Sequence, residues 1–193
     1  MSQTATTLYP VILTVPPPER DLKGRDKVRA LSRHARSALR QSCLQSGLHL
    51  ETFTKDEDGA PLPVKGVYWS LSHKSSVVGG VASPMPVGLD LETIRPVSEA
   101  LLTKVADADE WQLVGGRAAD RFFRFWTAKE AVLKAVGKGI AGLSRCRIVE
   151  IVDDTRMTLV YEKTRWPVVH FRRDDLVAAL TAHDLDVAWT YTC

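Results

Sequence analysis

Apolar positions along the chain change period several times, and each change predicts an element. "LYPVILTV" reads as a β-strand that Pro16-Pro17-Pro18 stops. From about Asp26 to Gln45 the spacing turns helical: Val28, Leu31, Ala35, Ala38, Leu39 and Ser42 fall on one stripe, and Gly47 is a suitable stop. "GVYWSLSH" sets Val67, Trp69 and Leu71 against Tyr68, Ser70 and Ser72, a second strand. "SVVGGVAS" is its partner, with glycines that predict a close backbone approach or a bulge. "SPMPVG" forms a short joint before "VGLDLETIRP", a strand whose polar face carries Asp90 and Glu92.

The second half repeats the alternation. A polar helical stretch covers roughly Ser98 to Val114, Gly115-Gly116 breaks it, and a stronger helix runs from about Ala118 to Val136. The strands "RIVEIVD", "RMTLVYE", "VVHFR", "VAALTA" and "DVAWTYT" follow, the last two joined through His183-Asp184. Helix followed by several short strands, twice, predicts an α+β protein with antiparallel sheets, one in each half.

Composition adds limits rather than detail. The 193 residues are 45% hydrophobic and 25% charged, enough for one large domain or two small lobes. A net charge of +3 argues neither for nucleic acid nor for a membrane surface. Cys43, Cys146 and Cys193 are odd in number and without metal-binding spacing, which fits a reducing cytoplasm. The opening residues lack a basic n-region, and no apolar run approaches membrane-spanning length. The expectation is a soluble cytoplasmic protein.

Four constellations carry candidate chemistry. Asp90 and Glu92 point the same way on a strand, their Cα atoms roughly 6.5–7 Å apart, so they can converge on one cation. The same spacing recurs at Asp56/Asp58, Asp107/Asp109 and Asp184/Asp186, so an exposed strand face is the plain alternative. In "FFRFWTAKEAVLKAVGKG", Phe122, Phe125, Trp126, Val132, Leu133 and Val136 cluster on one side, with Lys129 inside that stripe. Glu130 and Lys134 share another arc, a surface ion pair or a carboxylate and a cation aimed at a phosphate. Ser72 and His73 close the strand "SLSHK", where a structural histidine competes with a phosphate contact. Arg29, Arg33, Arg36 and Arg40 occupy an arc of about 60° on the first long helix, a solvated face or an anion site.

Taken in order, "SLSHK…VGLDLETIRP…FWTAKEAVLKAVGKGI" resembles the three signature blocks of the 4′-phosphopantetheinyl transferases of the monomeric, surfactin-synthetase-activating (Sfp) type. The resemblance covers Ser70 to Ile140, about a third of the chain. It implies two similar lobes related by pseudo-twofold symmetry, residues 1–85 and 86–193, with the active site in the cleft between them. It further implies Mg²⁺-dependent transfer of phosphopantetheine from coenzyme A to a serine of an apo acyl or peptidyl carrier protein, a reaction of holo-[acyl-carrier-protein] synthase type that releases 3′,5′-ADP.

By motif position, Asp90, Glu92 and Glu130 would hold Mg²⁺, and His73 and Lys134 would contact the phosphates. Ser72, Lys129, Arg33 and Arg36 complete the coenzyme A side of the expectation. The family's Gly-Lys-Pro before the Ser-His block reads Gly59-Ala60-Pro61 here, which leaves Lys65 or the arginine helix to replace that lysine.

The chemistry suits these residues. A pyrophosphate diester repels nucleophiles, and a divalent cation bridging its oxygens neutralises that charge and makes the like charges of Asp90 and Glu92 compatible. Lys134 would stabilise charge developing on the phosphates or protonate the departing ADP. Glu130 and water on the metal both stand as bases for the serine proton. The carrier is expected to dock on the segment Arg95 to Arg124, where Leu101, Leu102, Val105, Trp111 and Leu113 are rimmed by Arg95, Lys104, Arg117, Arg121 and Arg124. Two other classes compete: a basic-helix nucleic-acid-binding domain, which leaves the three acids unexplained, and a catalytically silent coenzyme A or nucleotide-binding module.

Overall fold

A computed structural model describes residues 7–183 and 185–192. Met1 to Thr6, Asp184 and Cys193 lie outside them, and so do part of the leader reading, half of the His183-Asp184 joint and the third cysteine. The described residues form two compact units: Gly88–His183, and the residues on either side of that stretch. Both are mixed α and β, with helices packed on largely antiparallel sheets.

In the first unit, Pro10 splits the opening strand into β1 (Thr7–Leu8) and β2 (Val11–Thr14). The prolines that end β2 begin a short helix, α1 (Pro17–Arg20), because the first turn of a helix needs no proline N–H. Helix α2 (Gly24–Ser46) ends at Gly47, whose φ of 68° supplies the left-handed cap. Its buried stripe is Ala30, Leu31, Ala35, Ala38, Leu39, Ser42 and Cys43. Val28, expected in that stripe, is 59% exposed; the packed face begins one turn later. Strands β3 (Tyr68–His73) and β4 (Val77–Ser83) pair antiparallel in unbroken register. The glycines of β4 therefore serve close approach rather than a bulge. A Cβ at Gly80 would stand 2.5 Å from the Leu39 nitrogen of α2.

The second unit opens with β5 (Leu89–Thr93). The expected single polar helix is two, α3 (Glu99–Val105) and α4 (Ala108–Gln112), because Asp107 caps the second. Its side chain accepts from the Glu110 N–H while Glu110 accepts from the Asp107 N–H, a reciprocal capping box. Helix α5 (Ala119–Ala135) and a 3₁₀ turn (Ile140–Arg145) follow. The remaining strands are β6 (Arg147–Ile151), β7 (Arg156–Tyr161), β8 (Thr164–Arg173) and β9 (Leu176–Thr181). The sheet order is β5-β9-β8-β7-β6, antiparallel throughout. Its core gathers Phe122, Phe125, Val132 and Leu133 of α5 with Leu159, Val168 and Val177 of the sheet, while Trp126 and Val136 pack at the margin.

The chain then returns to the first unit as β10 (Asp186–Val187) and β11 (Thr190–Thr192). These pair in parallel with β1 and β2, which departs from the all-antiparallel expectation. Parallel neighbours need a long connection, and here the second unit lies between them in sequence. The larger sheet of the first unit is ordered β11-β2-β4-β3. Among the described residues no helix is long and apolar enough to cross a membrane.

A buried polar group ties the second unit's sheet to its helix. His170 of β8 sets Nε2 3.1 Å from the Arg124 carbonyl oxygen and Nδ1 3.3 Å from that of Thr155. Burial drives its pKa down to about 4, although the Arg124 and Thr155 carbonyls favour the charged ring. The unfolded chain therefore takes up a proton near the ordinary value of about 6.5, which the folded chain refuses until about 4. This stabilisation is complete above pH 6.5 and disappears as pH falls through 4, a change of about 3 kcal/mol. Denaturant unfolding across that window should show the loss, and His170→Gln should flatten the slope; an unchanged slope in the variant would contradict the assignment.

Candidate active site

Gly88 decides how the predicted acids meet their helix. A Cβ there would overlap the Ala131 carbonyl oxygen and lie 2.8 Å from the Ala135 nitrogen, so only glycine lets α5 settle this close. Reciprocal bonds to Thr181 fix the strand entry: the Gly88 N–H donates to Thr181 Oγ1 at 2.9 Å, and the Thr181 N–H donates to the Gly88 oxygen at 3.1 Å. Alternation then puts Leu89 and Leu91 on one face of β5 and Asp90 and Glu92 on the other. The acids share their side with cross-strand partners Ala179 and Val177, both members of the core that α5 covers. Asp90 and Glu92 are thus buried carboxylates, 5% and 4% exposed, rather than a solvated strand face.

Buried carboxylates need counter-charge or hydrogen bonds. Lys134 Nζ lies 2.7 Å from Asp90 Oδ1 and donates to the Leu89 oxygen at 2.9 Å. Arg95 Nη1 lies 3.0 Å from Glu92 Oε2. Gly88 rests against Ala131 and Ala135, while the Arg95 guanidinium lies over the Phe123 ring, so β5 and α5 run in opposite directions. Glu130 sits one turn before Lys134 on that helix, close to the same face and displaced toward the Glu92 end of the strand.

Lys129 goes elsewhere. About 140° around the helix from Lys134, its Nζ lies 2.7 Å from Glu110 Oε1, with both side chains almost fully buried. The same Glu110 oxygen accepts the Ile148 N–H at 2.8 Å, and the other oxygen accepts the Asp107 N–H at 3.1 Å. One carboxylate thereby joins α4, β6 and α5. Cys146, fully buried nearby, has its thiol pushed up to about 12, chiefly by burial. Thr127 is also buried, and its hydroxyl donates to the Phe123 oxygen of its own helix.

The remaining candidates belong to the first unit. Ser72 is buried and His73 exposed at the end of β3. Arg33 donates to Glu19, which His34 also contacts at 3.1 Å. Arg36 and Arg40 stand 6.0 and 5.3 Å from the Phe53 ring centre. The arginine stripe is thus partly engaged by its own unit. At the altered Gly59-Ala60-Pro61 position the Ala60 N–H donates to Asp56, and Lys65 pairs with Glu51 at 2.8 Å.

Within one unit, then, Lys134 pairs with Asp90, Glu92 shares that strand face, Glu130 lies one turn before Lys134 on the facing helix, and Lys129 stands apart. Among the described residues no group of three or more His, Cys, Asp or Glu stands close enough to hold a metal ion as the side chains lie. The donor set nonetheless suits Mg²⁺: two buried hard oxygen ligands on one strand face and a third carboxylate on the helix over it. Nothing in the sequence pattern marks Arg95 as the partner of Glu92. For Glu110 a signal existed, the Asp-x-x-Glu capping box at Asp107–Glu110.

Comparison with known proteins bears on the same stretch. Residues 86–181 match the model of the 4′-phosphopantetheinyl transferase superfamily. The chain is 36% identical over 99 residues to the 4′-phosphopantetheinyl transferase psf-1 of Bacillus pumilus, covering 48% of this chain and 42% of that protein. It is 32% identical over 124 residues to the 4′-phosphopantetheinyl transferase HetI of Nostoc sp., covering 61% and 52%. Against the 4′-phosphopantetheinyl transferase gsp of Aneurinibacillus migulanus it is 30% identical over 92 residues, covering 46% and 39%. By residues 86–181 the chain belongs to the 4′-phosphopantetheinyl transferase superfamily. It spans about half the length, or less, of the curated relatives it matches.

The buried Lys129–Glu110 pair sets a test of the helix seat. Lys129→Met leaves an uncompensated buried carboxylate and should cost about 3–5 kcal/mol, read by thermal or denaturant unfolding. The double variant Lys129→Met/Glu110→Gln should recover much of that loss. Equal stability of the single variant and the parent would show that the pair does not hold α5.

Proposed function

We propose that this chain transfers the 4′-phosphopantetheine group of coenzyme A to a serine hydroxyl of an apo carrier protein, releasing 3′,5′-ADP with Mg²⁺ bound. The observation that carries the reading is the pair of buried carboxylates, Asp90 and Glu92, packed beneath the helix that bears Glu130 and Lys134. Burying like charges side by side is unfavourable unless the site is built to take up cations. The membership of residues 86–181 in the superfamily supports the same conclusion.

In this reading Asp90, Glu92 and Glu130 hold the metal, which when bound neutralises phosphate charge and orients the leaving group. Lys134 donates to a phosphate oxygen once its Nζ leaves Asp90, and it stabilises the charge that builds on the departing nucleotide. Glu130 accepts the serine proton. Ser72 and His73, on the first unit, contact coenzyme A phosphates. Arg33 instead donates to Glu19 within its own unit. Lys129 belongs to the helix seat through its pair with Glu110.

Mass spectrometry of apo carriers incubated with coenzyme A and Mg²⁺ tests the reaction, with one phosphopantetheine added to a serine as the expected result. Asp90→Asn, which keeps the shape of the side chain, should lower transfer by roughly 10²–10³-fold while leaving a cooperative unfolding transition. Full activity after exhaustive chelation, or in Asp90→Asn, would overturn the metal assignment.

The carrier docks, on this reading, around α3 and α4. Leu101 and Leu113 are exposed there, 41% and 44%, whereas Val105 and Trp111 are buried in the core. An open depression of about 450 Å³ lies alongside, lined by Trp111, Gln112, Gly115, Gly116 and Arg117 among others. Lys104 and Arg117 bring positive charge to an apolar surface, which suits an acidic helical partner; Arg117 already reaches Glu99 at 3.5 Å. Charge reversal at Lys104 and Arg117 together should raise the carrier KM several-fold at low salt, with the difference shrinking as salt rises. The coenzyme A KM should not change. Unaltered carrier kinetics at low salt would move the docking surface elsewhere.

A further inference from the structure

We propose that Arg95 is a resident counter-ion of Glu92 that metal binding must displace, and that it makes metal occupancy depend on the anionic substrate. The inference rests on the reading of Asp90, Glu92 and Glu130 as metal ligands.

Arg95 is held on three sides. Its Nη1 donates to Glu92 Oε2 at 3.0 Å and to the Thr93 oxygen at 3.0 Å, and its guanidinium carbon lies 4.9 Å from the centre of the Phe123 ring. The two ends of the ion pair differ sharply in exposure: the Arg95 side chain is 59% exposed and the Glu92 side chain 6%. A buried carboxylate is therefore neutralised by a cation that stands at the surface and can leave without opening the core. Phe123, itself fully buried on α5, gives the guanidinium a face to stay on after it releases the carboxylate. Lys134 plays the corresponding part for Asp90 from the helix. Each acid on this strand face is thus already matched by a cation of the chain.

A divalent ion that arrives alone must compete with that guanidinium for Glu92, and it must also bear the repulsion of a positive charge nearby. An ion that arrives with a phosphate group meets a different balance. The phosphate offers the displaced, planar guanidinium a new bidentate partner, so the eviction costs less. Metal and substrate then bind with positive coupling, and by linkage each raises the affinity of the other equally. Without Arg95, the free ion should bind better and the coupling should shrink.

The test is Mn²⁺ binding to the full chain, read from the electron paramagnetic resonance signal of the free ion, with and without coenzyme A. Arg95→Gln should bind Mn²⁺ alone at least about fivefold more tightly than the parent, and coenzyme A should improve its affinity by a smaller factor. Arg95→Lys keeps the charge and should keep the parent's weak free-ion binding, but its coupling to coenzyme A should shrink, because an ammonium cannot grip a phosphate bidentately. In a Glu92→Gln background, which weakens binding, Arg95→Gln should add little further gain. If Arg95→Gln leaves the free-ion affinity and the coupling unchanged while Glu92→Gln weakens binding, the counter-ion role is wrong and the metal assignment stands. If Glu92→Gln has no effect on Mn²⁺ binding, the metal assignment itself fails and the counter-ion role goes with it. A cooperative melting transition in each variant excludes misfolding as the cause.

Discussion

The distance between helix α5 and strand β5 is the constraint on which the site depends, and a missing Cβ sets it. At Gly88 the strand meets the Ala131 carbonyl with no room for a side chain. Everything that follows on β5 is placed relative to that contact. Lys134 reaches both the Leu89 oxygen and Asp90 because the helix lies this low. The first unit uses the same device at Gly80, where α2 comes down on β4 at Leu39. In each unit the apolar stripe supplies the driving force for packing, and a glycine lets the backbones meet.

Close seating would be of little use if the helix could roll. The buried bridge from Lys129 to Glu110 anchors the helix about 140° away from the Lys134 side. Glu110 is itself fixed through its cap on α4 and its bond to the Ile148 N–H. Farther toward the helix start, the buried Arg124 donates to the Asp153 oxygen in the turn between β6 and β7, and His170 holds the Arg124 carbonyl. Buried polar groups of this kind contribute little net stability compared with apolar packing of the same volume. What they add is a defined rotation for the helix. On the proposed reading, three carboxylates and a lysine must be held in register, and that needs definition more than it needs extra stability.

Much of this was legible in the sequence, and the failures have physical reasons. The long helices could be read because their apolar stripes persist over several turns and glycine ends the first. The stretch from Ser98 to Val114 hid its break, because the polar residues that cap α4 look like an exposed helix face. Pro167 concealed the start of β8, since proline argues against an interior strand, yet here it pairs opposite Thr158 in the middle of the sheet. The single strand read in "DVAWTYT" is two short ones, β10 and β11, whose parallel partners lie at the far end of the chain, and periodicity carries no information on pairing across such a separation. For the site, the i, i+2 spacing identified two acids on one face. It could not reveal that the face is buried, or that Arg95 and Lys134 serve as their counter-ions, because those facts depend on how the helix sits.

The parallel pairing of β11 with β2 also bears on the order in which the molecule is made. The second unit, Gly88–His183, is contiguous in sequence, so all its strands and helices exist as soon as that stretch has been synthesised. The first unit is split: Val11–Thr14 wait for Thr190–Thr192 to complete the edge of their sheet. Until then one side of β2 exposes unpaired backbone groups, the kind of strand edge that pairs with other chains. The burden on the newborn protein therefore falls on its first-made half, whose sheet is the last to close.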